Sequence, residues 1–277
     1  MPARSLATPR KAGHIRVGIG GWKFAPWRDS FYPHDLPQRR ELEYASRQLT
    51  SIEINSTYYR AQKAEIYAKW RGETPEGFVF SVKAPRYVVE QKKLADAADG
   101  VGRFVRGGLA ELGDRLGPVL WQMPATRRFD ANDIAAFLDQ LPRELDGRVL
   151  RHVLEVRHAS FACKEYVELM GEHEVPSVFT DSPDLPSFAD VTGAFVYVRL
   201  KCSEAAFNSG YAPREIDAWA GRARLWVAGE RPADLPLIAD SRPAKGPPRD
   251  VFIYFIAGAK VRNPVAATTL LQRLGSK

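Results

Sequence analysis

The feature that most constrains this fold is a short strand-like segment that recurs eight times along the chain, mostly separated by stretches of helical composition. Apolar and polar side chains alternate in such segments, so the two isoleucines of residues 51–55 would lie on one face of a strand, and Glu53 and Asn55 on the other. The predicted strands are residues 15–20, 50–55, 78–83, 118–123, 151–156, 177–181, 194–200 and 251–256. Strands that alternate with helices indicate a parallel sheet with crossover helices.

Polar and charged side chains gather toward the carboxyl ends of several predicted strands. They include Glu53, Asn55, Lys83, Glu155, Arg157, Tyr197 and Arg199. Antiparallel neighbours would scatter these side chains to both edges of a sheet, whereas parallel strands bring them to one edge. We therefore interpret the strands as parallel and expect these residues to meet.

The number of predicted elements favours one particular fold. Helical segments are predicted near residues 38–49, 63–72, 95–115, 131–141, 163–174, 213–228 and 264–274, and only the link after the sixth strand looks too short for a helix. Eight strands with seven or eight helices in about 260 residues predict a single (β/α)8 TIM-type barrel of the α/β class. The alternative is a doubly wound open sheet. That fold usually carries a G-x-G-x-x-G turn, which GIGGWK at residues 18–23 does not match.

The chain is predicted to contain one domain, with residues 14–277 forming the barrel and residues 1–13 a disordered basic tail. Residues 229–250 contain five prolines and are predicted to form an extended loop inserted into the barrel. Asn263 followed by Pro264 predicts the start of the last helix, with the asparagine side chain as its cap.

Composition argues against a membrane protein and for a reducing compartment. No apolar run approaches the roughly 18 to 20 residues of a membrane span, and the N-terminal segment lacks the apolar centre of a secretory signal. The two cysteines, Cys163 and Cys202, form no metal-binding or redox spacing, so we predict a cytoplasmic protein. The net charge of +7 favours an anionic partner, although Arg4, Arg10 and Lys11 of the predicted tail supply part of the excess.

Several motifs give the chain a resemblance to a known family. They are GIGGWKFAPWRDSFYP, LPQRRELEYAS, SIEINSTYYR, FSVKAPRYV, LEVRHASF, FVYVRLKCSE and AKVRNP. From about residue 15 onward the chain resembles the YecE-like family, catalogued as domain of unknown function 72. The resemblance implies a TIM-type barrel, in agreement with the strand count, but it implies no reaction because the activity of that family is not established.

The chain departs from the family pattern near the ends of its last two predicted strands. Family members usually read YFDND before AKVR, which puts an aspartate at the position of Ile256 and further polar groups at Ala257 and Gly258. They also usually read RLHG where this chain has Lys201 and Cys202. The resemblance therefore implies either that this member is catalytically degenerate or that its substrate differs.

The charged residues would crowd the mouth of the predicted barrel, where barrels place their active sites. Glu53, Lys83 and Glu155 are the candidate catalytic residues, because two carboxylates in different environments can take different pKa values for acid–base chemistry. The candidate substrate-binding residues are Trp22, Asn55, Tyr58, Arg60, Arg86, Arg157, Tyr197 and Arg199. The many cations predict a small phosphate- or carboxylate-bearing substrate, and the aromatic residues could stack on a sugar or base. Hydrolase, lyase and isomerase chemistry all stay open.

A structural alternative is that the same charges form an ion-pair network, such as Glu53 with Lys83, and Glu155 with Arg157 or Arg199. Unpaired charges in a barrel interior cost several kcal/mol each, so they must pair or meet a ligand. In a network, Lys83→Met and Arg199→Met should both lower the melting temperature strongly. In a ligand site, both should leave it nearly unchanged or raise it.

An alternative of another class is a non-enzymatic nucleic-acid-binding protein. It is motivated by the isoelectric point near 9.4 and by basic clusters at residues 38–40, 91–93 and 127–128. No metal and no cofactor is predicted, because the five histidines form no H-E-x-x-H or comparable pair and no phosphate-binding loop occurs. His158 is expected to orient the loop after the fifth strand. Oligomeric state is left open.

Overall fold

The structure, a computed structural model, describes residues 13–239 and 245–275. The predicted tail at residues 1–13 therefore lies almost wholly outside the described residues. So do residues 240–244, which fall within the predicted loop insertion at 229–250. The rest of that insertion contains no helix, in agreement with its prolines.

The described residues alternate between strands and helices along the whole chain. The strands are β1 Ile15–Gly20, β2 Ser51–Ile54, β3 Val79–Lys83, β4 Leu116–Gln122, β5 Glu144–Leu145, β6 Arg148–Val149, β7 His152–Glu155, β8 Phe179–Thr180, β9 Phe195–Leu200 and β10 Asp250–Phe255. The α-helices are α1 Glu41–Gln48, α2 Ser56–Tyr59, α3 Ala64–Glu73, α4 Arg86–Val89, α5 Ala98–Arg106, α6 Ala131–Asp139, α7 Lys164–Glu172, α8 Pro213–Val227 and α9 Asn263–Leu274. Short 3₁₀ turns occupy Ala25–Trp27, Gln38–Arg40, Leu94–Asp96, Leu109–Arg115, Ala159–Phe161 and Lys260–Arg262.

Eight of these strands form one parallel sheet in the order β7-β4-β3-β2-β1-β10-β9-β8, while β5 and β6 form a separate antiparallel ribbon. The strands at the two ends of this order, β7 and β8, meet at Leu154 of β7. Its N–H donates to the carbonyl of Pro176 at 3.0 Å, and its carbonyl accepts from the N–H of Val178 at 2.8 Å. The sheet is therefore a nearly closed barrel, and the predicted (β/α)8 fold is confirmed.

Because side chains alternate along each strand, the apolar side chains of the sheet form two layers, one outside and one inside the barrel. Outward side chains such as Ile52, Phe80 and Val198 pack against the surrounding helices in one large core. Inward side chains form a second cluster, Val79, Leu120, Val153, Val178, Phe195, Tyr197, Phe252 and Tyr254, which fills the barrel interior. Burying an aliphatic or aromatic side chain contributes about 1.5–3 kcal/mol, so both layers hold the barrel together.

A glycine lets β1 approach its neighbour in this sheet. A Cβ added at Gly18 would lie 1.9 Å from the carbonyl oxygen of Ser51, which is far inside any contact distance. Only glycine therefore fits between β1 and β2 at this level of the barrel.

The predicted helices are present, except that residues 95–115 form α5 and two 3₁₀ turns instead of one helix, because Gly108 has a φ of 123° that a helix cannot contain. Pro213 and Pro264 lie in the first turns of α8 and α9, as expected from the fixed φ of proline. The predicted link without a helix, after β8, is also observed. The prediction that Asn263 caps the last helix is wrong. Asn263 is buried, accepts a hydrogen bond from Ser203 Oγ at 2.8 Å and donates one to the carbonyl of Ala257 at 3.1 Å, so it joins two mouth loops.

The first and last loops at the mouth are also joined, through two of the motifs noted in the sequence. Trp27 is buried in the loop after β1, and its Nε1 donates to the carbonyl of Lys260 at 2.9 Å. The ammonium of Lys260 lies 4.3 Å from the ring centroid of Phe24. Among the described residues, no helix is long and apolar enough to span a membrane.

Candidate functional site

The carboxyl ends of β2, β7 and β9 bring Glu53, Glu155 and Arg199 together inside the barrel, where each is at most 3% exposed. Arg199 donates from Nε to Glu53 Oε2 at 3.1 Å and from Nη2 to Glu53 Oε1 at 3.0 Å. Its Nη1 donates to Glu155 Oε2. One guanidinium therefore bridges two buried carboxylates, a geometry that the planar fork of arginine favours.

Glu53 receives a further hydrogen bond from the barrel interior. The hydroxyl of Tyr197 lies 2.7 Å from Glu53 Oε2 and also 2.7 Å from the hydroxyl of Ser81. Burial and the charge of Glu53 raise the pKa of Tyr197 well above its ordinary value, so the phenol stays protonated and donates. Both oxygens of Glu53 are thus occupied by donors.

Glu155 is enclosed even more completely by donors. Gln122 Nε2 donates to its Oε2 and Lys201 Nζ to its Oε1, both at 2.6 Å, and Arg157 Nε lies 3.6 Å from Oε1. Burial alone raises the pKa of Glu155, but the charges of Arg199, Lys201 and Arg157 outweigh it and hold the pKa well below its usual range. Glu155 is therefore a permanent anion near neutral pH.

Lys83, at the end of β3, differs from the other cations of the mouth. Its ammonium makes no hydrogen bond and no ion pair with any described residue, although the residue is only 7% exposed. The ammonium lies 3.9 Å from the ring centroid of Tyr58, in a cation–π contact. Burial and the charge of Arg199 lower the pKa of Lys83 to about 8, against the opposing effect of Glu53 and Glu155.

The observed contacts agree in part with the ion-pair network and in part with the ligand site, the two interpretations of these charges. Arg199, rather than Lys83, pairs with Glu53, and Glu155 has ion pairs with Arg199 and Arg157 as the structural alternative supposes. Among the described residues, four cations lie around Glu53 and Glu155: Lys83, Arg157, Arg199 and Lys201. This cluster has an excess of two positive charges when Lys83 is protonated, and the carboxylate of Asp181, just after β8, accepts instead from the N–H of Lys201 and the hydroxyl of Tyr211.

Of the remaining predicted site residues, some lie next to the carboxylate cluster and others lie away from it. Asn55 is half-buried beside Glu53 and its Nδ2 lies 3.4 Å from the carbonyl of Glu53, and Tyr58 is half-buried beneath Lys83. Arg60 and Arg86 are exposed, and no described side-chain contact joins either of them to the carboxylates. These two arginines are not brought into the cluster.

Trp22 is buried near the mouth but faces a different space. Its ring packs edge-on against Trp70, with centroids 5.1 Å apart. Both tryptophans line a cavity of about 610 Å³ that also borders Gly20, Asn55 and Lys260. Trp22 therefore contributes to a space beside the carboxylate cluster.

Two donors of the cluster were missing from the predicted site. Gln122 follows Leu120 on the inward face at the end of β4, so the alternation rule used for the other strands would have found it. Lys201 directly follows β9, two residues after Arg199, so the same alternation places it on the inward face, although it was not assigned to the site.

Ile256 makes one side of the mouth apolar. It follows β10, donates its N–H to the carbonyl of Leu200 at 2.7 Å and packs against the interior cluster that contains Phe252 and Tyr254. Its Cδ1 lies 2.7 Å from the place where a Cβ on Gly20 would stand. Ile256 therefore faces inward, at the place where the resemblance noted in the sequence predicts an aspartate.

The described residues provide no group of three or more His, Cys, Asp or Glu side chains arranged to hold a metal ion. His158 Nδ1 accepts a hydrogen bond from the N–H of Ser160 at 3.1 Å, so it orients the loop after β7, as expected. Partial burial and the carboxylate of Asp181 raise the pKa of the Cys202 thiol to about 11. Cys202 is therefore protonated at neutral pH and a weak nucleophile.

Comparison with known proteins gives a consistent family match. The sequence model of the family described as "Protein of unknown function DUF72" matches residues 16–277. The UPF0759 protein YecE of Escherichia coli strain K12 is 33% identical over 153 residues, which are 54% of this chain and 51% of that protein. The chain thus spans about half the length of the curated relative it matches.

Two solved structures share the fold. A DUF72 family protein from Thermotoga maritima MSB8 superposes with a TM-score of 0.70 at 19% identity, covering 95% of this chain and 100% of that one. A DUF72 family protein from Enterococcus faecalis V583 gives a TM-score of 0.70 at 18% identity, covering 95% and 96%. At such identities the similarity shows the barrel fold alone.

Proposed function

The chain belongs to the DUF72 family, and we propose that its barrel mouth binds a small metabolite that carries a phosphate or carboxylate group. The observation that carries this proposal is that the ammonium of Lys83 makes no hydrogen bond and no ion pair with any described residue. Burial penalises such a cation, its contact with Tyr58 offsets only part of that cost, and an anionic ligand would offset more of it. The excess of two positive charges around Glu53 and Glu155 supports the same ligand chemistry.

Acid–base chemistry in this site is assigned to Lys83 rather than to the two glutamates. A catalytic group works best when its pKa lies near the operating pH, and the pKa of Lys83 is lowered to about 8. Glu53 and Glu155 have their oxygens occupied by Arg199, Tyr197, Gln122 and Lys201, so they hold the cations in place instead of exchanging protons. This replaces the sequence-based assignment of all three as catalytic.

The isoleucine after β10 limits the reaction. Ile256 can neither exchange a proton nor ligate a metal ion, so any step for which relatives use an acid at this position is absent here. The proposed ligand site does not depend on that acid. The chain would therefore bind its ligand and carry out, at most, the steps that Lys83 supports.

A thermal-shift screen tests the proposal directly. Phosphate- and carboxylate-bearing metabolites are compared with neutral analogues on the wild type, Lys83→Met and Lys164→Met, the last being a matched loss of an exposed lysine on α7. We expect some anions to raise the melting temperature of the wild type and of Lys164→Met but not of Lys83→Met. The proposal fails if no anion stabilises the wild type, or if Lys83→Met responds as strongly.

The nucleic-acid alternative has less support, because cations of its basic clusters are partly engaged within the protein. Arg40 pairs with Glu43 at 2.9 Å, and Arg127 pairs with Asp133 at 3.1 Å while reaching the carbonyl of Val89. Retention on heparin that persists after residues 1–12 are removed, and that falls steeply with salt, would favour the alternative instead.

A further inference from the structure

Resting on the proposed anion site, we propose that the amine of Lys83 forms an imine with a carbonyl group of the substrate. The substrate class would then be small oxo acids or phosphorylated aldehydes and ketones. The carboxylate or phosphate would meet the surplus cations of the mouth, and the carbonyl carbon would lie against Lys83.

The position of the amine supports a nucleophilic role. Lys83 and Lys201 both follow the inward faces of their strands at the mouth, but only Lys201 is held, by the 2.6 Å hydrogen bond to Glu155 Oε1. The ammonium of Lys83 rests on the ring of Tyr58, a contact that a neutral amine gives up easily because the attraction needs the positive charge. The residue keeps 7% of its surface accessible, so a small reactant can reach it.

The surroundings of Lys83 also increase the fraction of its amine that is neutral and therefore able to attack a carbonyl carbon. Burial and the neighbouring charge of Arg199 lower the pKa of Lys83 to about 8, so about half of the amine is neutral at pH 8. A lysine with the ordinary pKa of about 10.4 would be neutral in less than about 1% of molecules at pH 8. Desolvation next to other cations is one of the general ways in which proteins activate lysine for imine formation.

The step requires no partner beyond the carbonyl compound. The lone pair of the neutral amine attacks the carbonyl carbon, a C–N bond forms, and the carbonyl π pair moves to oxygen. Both amine protons and that oxygen then leave as one water molecule, which leaves a C=N bond. The surplus positive charge of the mouth favours the oxyanion that develops during the attack.

Reductive trapping tests the inference. The intact protein is incubated at pH 8 with glyoxylate and cyanoborohydride, and the rates of secondary-amine formation at Lys83, Lys201 and Lys164 are followed by peptide mass mapping. We expect Lys83 to be modified at least tenfold faster than either of the other two lysines. A rate at Lys83 no higher than at the exposed Lys164 would overturn the inference.

Two controls separate this inference from the proposed function. Lys83→Arg keeps the charge but cannot form an imine, so it should still be stabilised by glycolate, which has the carboxylate of glyoxylate without its carbonyl. A melting temperature raised by glycolate with no adduct at Lys83 would overturn the imine alone. Trapping at Lys83 by neutral acetaldehyde as fast as by glyoxylate would overturn the anionic substrate class of this inference.

Discussion

Arg199 donates hydrogen bonds to both buried carboxylates of the mouth, whereas Lys83, four strands away around the same barrel, donates to neither of them. The two residues share their charge and their position at the end of an inward-facing strand. Their effects on stability should nevertheless be opposite. Loss of Arg199 leaves two buried anions without their shared counter-ion, whereas loss of Lys83 removes a cation that has no anionic partner among the described residues.

Arg199→Met is expected to lower the free energy of unfolding by about 3 to 5 kcal/mol, because Glu53 and Glu155 would be left buried without their shared counter-ion. This revises the expectation, drawn from a pure ligand site, that the variant would melt normally. Urea unfolding at pH 7 measures the loss. Arg157→Met is the control, because Arg157 is 34% exposed and lies 3.6 Å from Glu155, so it should cost less than about 1 kcal/mol. Equal losses in the two variants would contradict the prediction.

Lys83→Met is expected to raise the free energy of unfolding at pH 7 by about 1 to 3 kcal/mol. The upper figure follows from the pKa lowered from 10.5 to about 8, and the lost cation–π contact with Tyr58 offsets about 0.5–1 kcal/mol of it. The unfolded chain keeps the proton of this lysine up to about pH 10.5, whereas the folded protein releases it near pH 8. Wild-type stability therefore gains from this group as the pH rises from about 8 to about 10.5.

The advantage of Lys83→Met should consequently be complete below about pH 8 and shrink above it. Urea unfolding of the variant and the wild type at pH 7 and pH 10 measures this change, with Lys164→Met as the surface control. A gain of the same size at both pH values, or a loss at pH 7, would show that burial does not penalise the charge of Lys83.

At the scale of elements, the seam between β7 and β8 is the weakest join of the barrel. β8 has only two residues, and it pairs with β9 through Phe179 and Thr180 alone, whereas β9 and β10 pair along six residues. On its other side, two hydrogen bonds of Leu154 bridge the gap. The small number of bonds at this seam makes it the place where the sheet should open first.

Hydrogen exchange under native conditions tests this weakness. The amides of Leu154 and Val178 lie in the seam and should exchange at least about tenfold faster than those of Val198 and Ile253, which lie in β9 and β10. All four residues are at most 3% exposed, so surface exposure does not explain a difference. Equal protection of the four amides would mean that the barrel opens only as a whole.

At the scale of the whole molecule, β10 closes the fold between the first strand and the ninth. It pairs with β1 from Ile15 to Ile19 and with β9 from Phe195 to Leu200, and it places Phe252 and Tyr254 in the interior. A chain that ends at residue 249 would lose both pairings and expose the interior cluster. The first and ninth strands would be left as open edges.

Such a truncated chain is expected not to fold cooperatively. Circular dichroism during thermal melting measures this, with a chain that lacks residues 1–12 as the control, because the sequence predicts a dispensable tail there. The control should melt at the wild-type temperature. A cooperative melt with full helix and strand content in the chain that ends at residue 249 would contradict the closed barrel.

The sequence by itself determined the barrel and the location of its charged mouth. Eight alternating segments separated by helices leave few ways to bury their apolar faces, and parallel strands must place their carboxyl ends at one edge. The inward positions of Glu53, Glu155 and Arg199 followed from that alternation. The alternation rule does not apply to Arg60 and Arg86, because both lie beyond the ends of their strands: Arg60 follows α2, and Arg86 is the first residue of α4.

Only the tertiary structure decided which charge meets which. Glu53 and Arg199 are 146 residues apart, and β1 and β10 separate their strands in the sheet, so their contact is made across the barrel interior. Alternation specifies the face of the strand on which a side chain lies, but it does not specify the position of that strand around the barrel. Because Arg199 reaches both carboxylates, Lys83 has no ion pair within the described part of the chain, and that difference between two inward cations is invisible in the sequence.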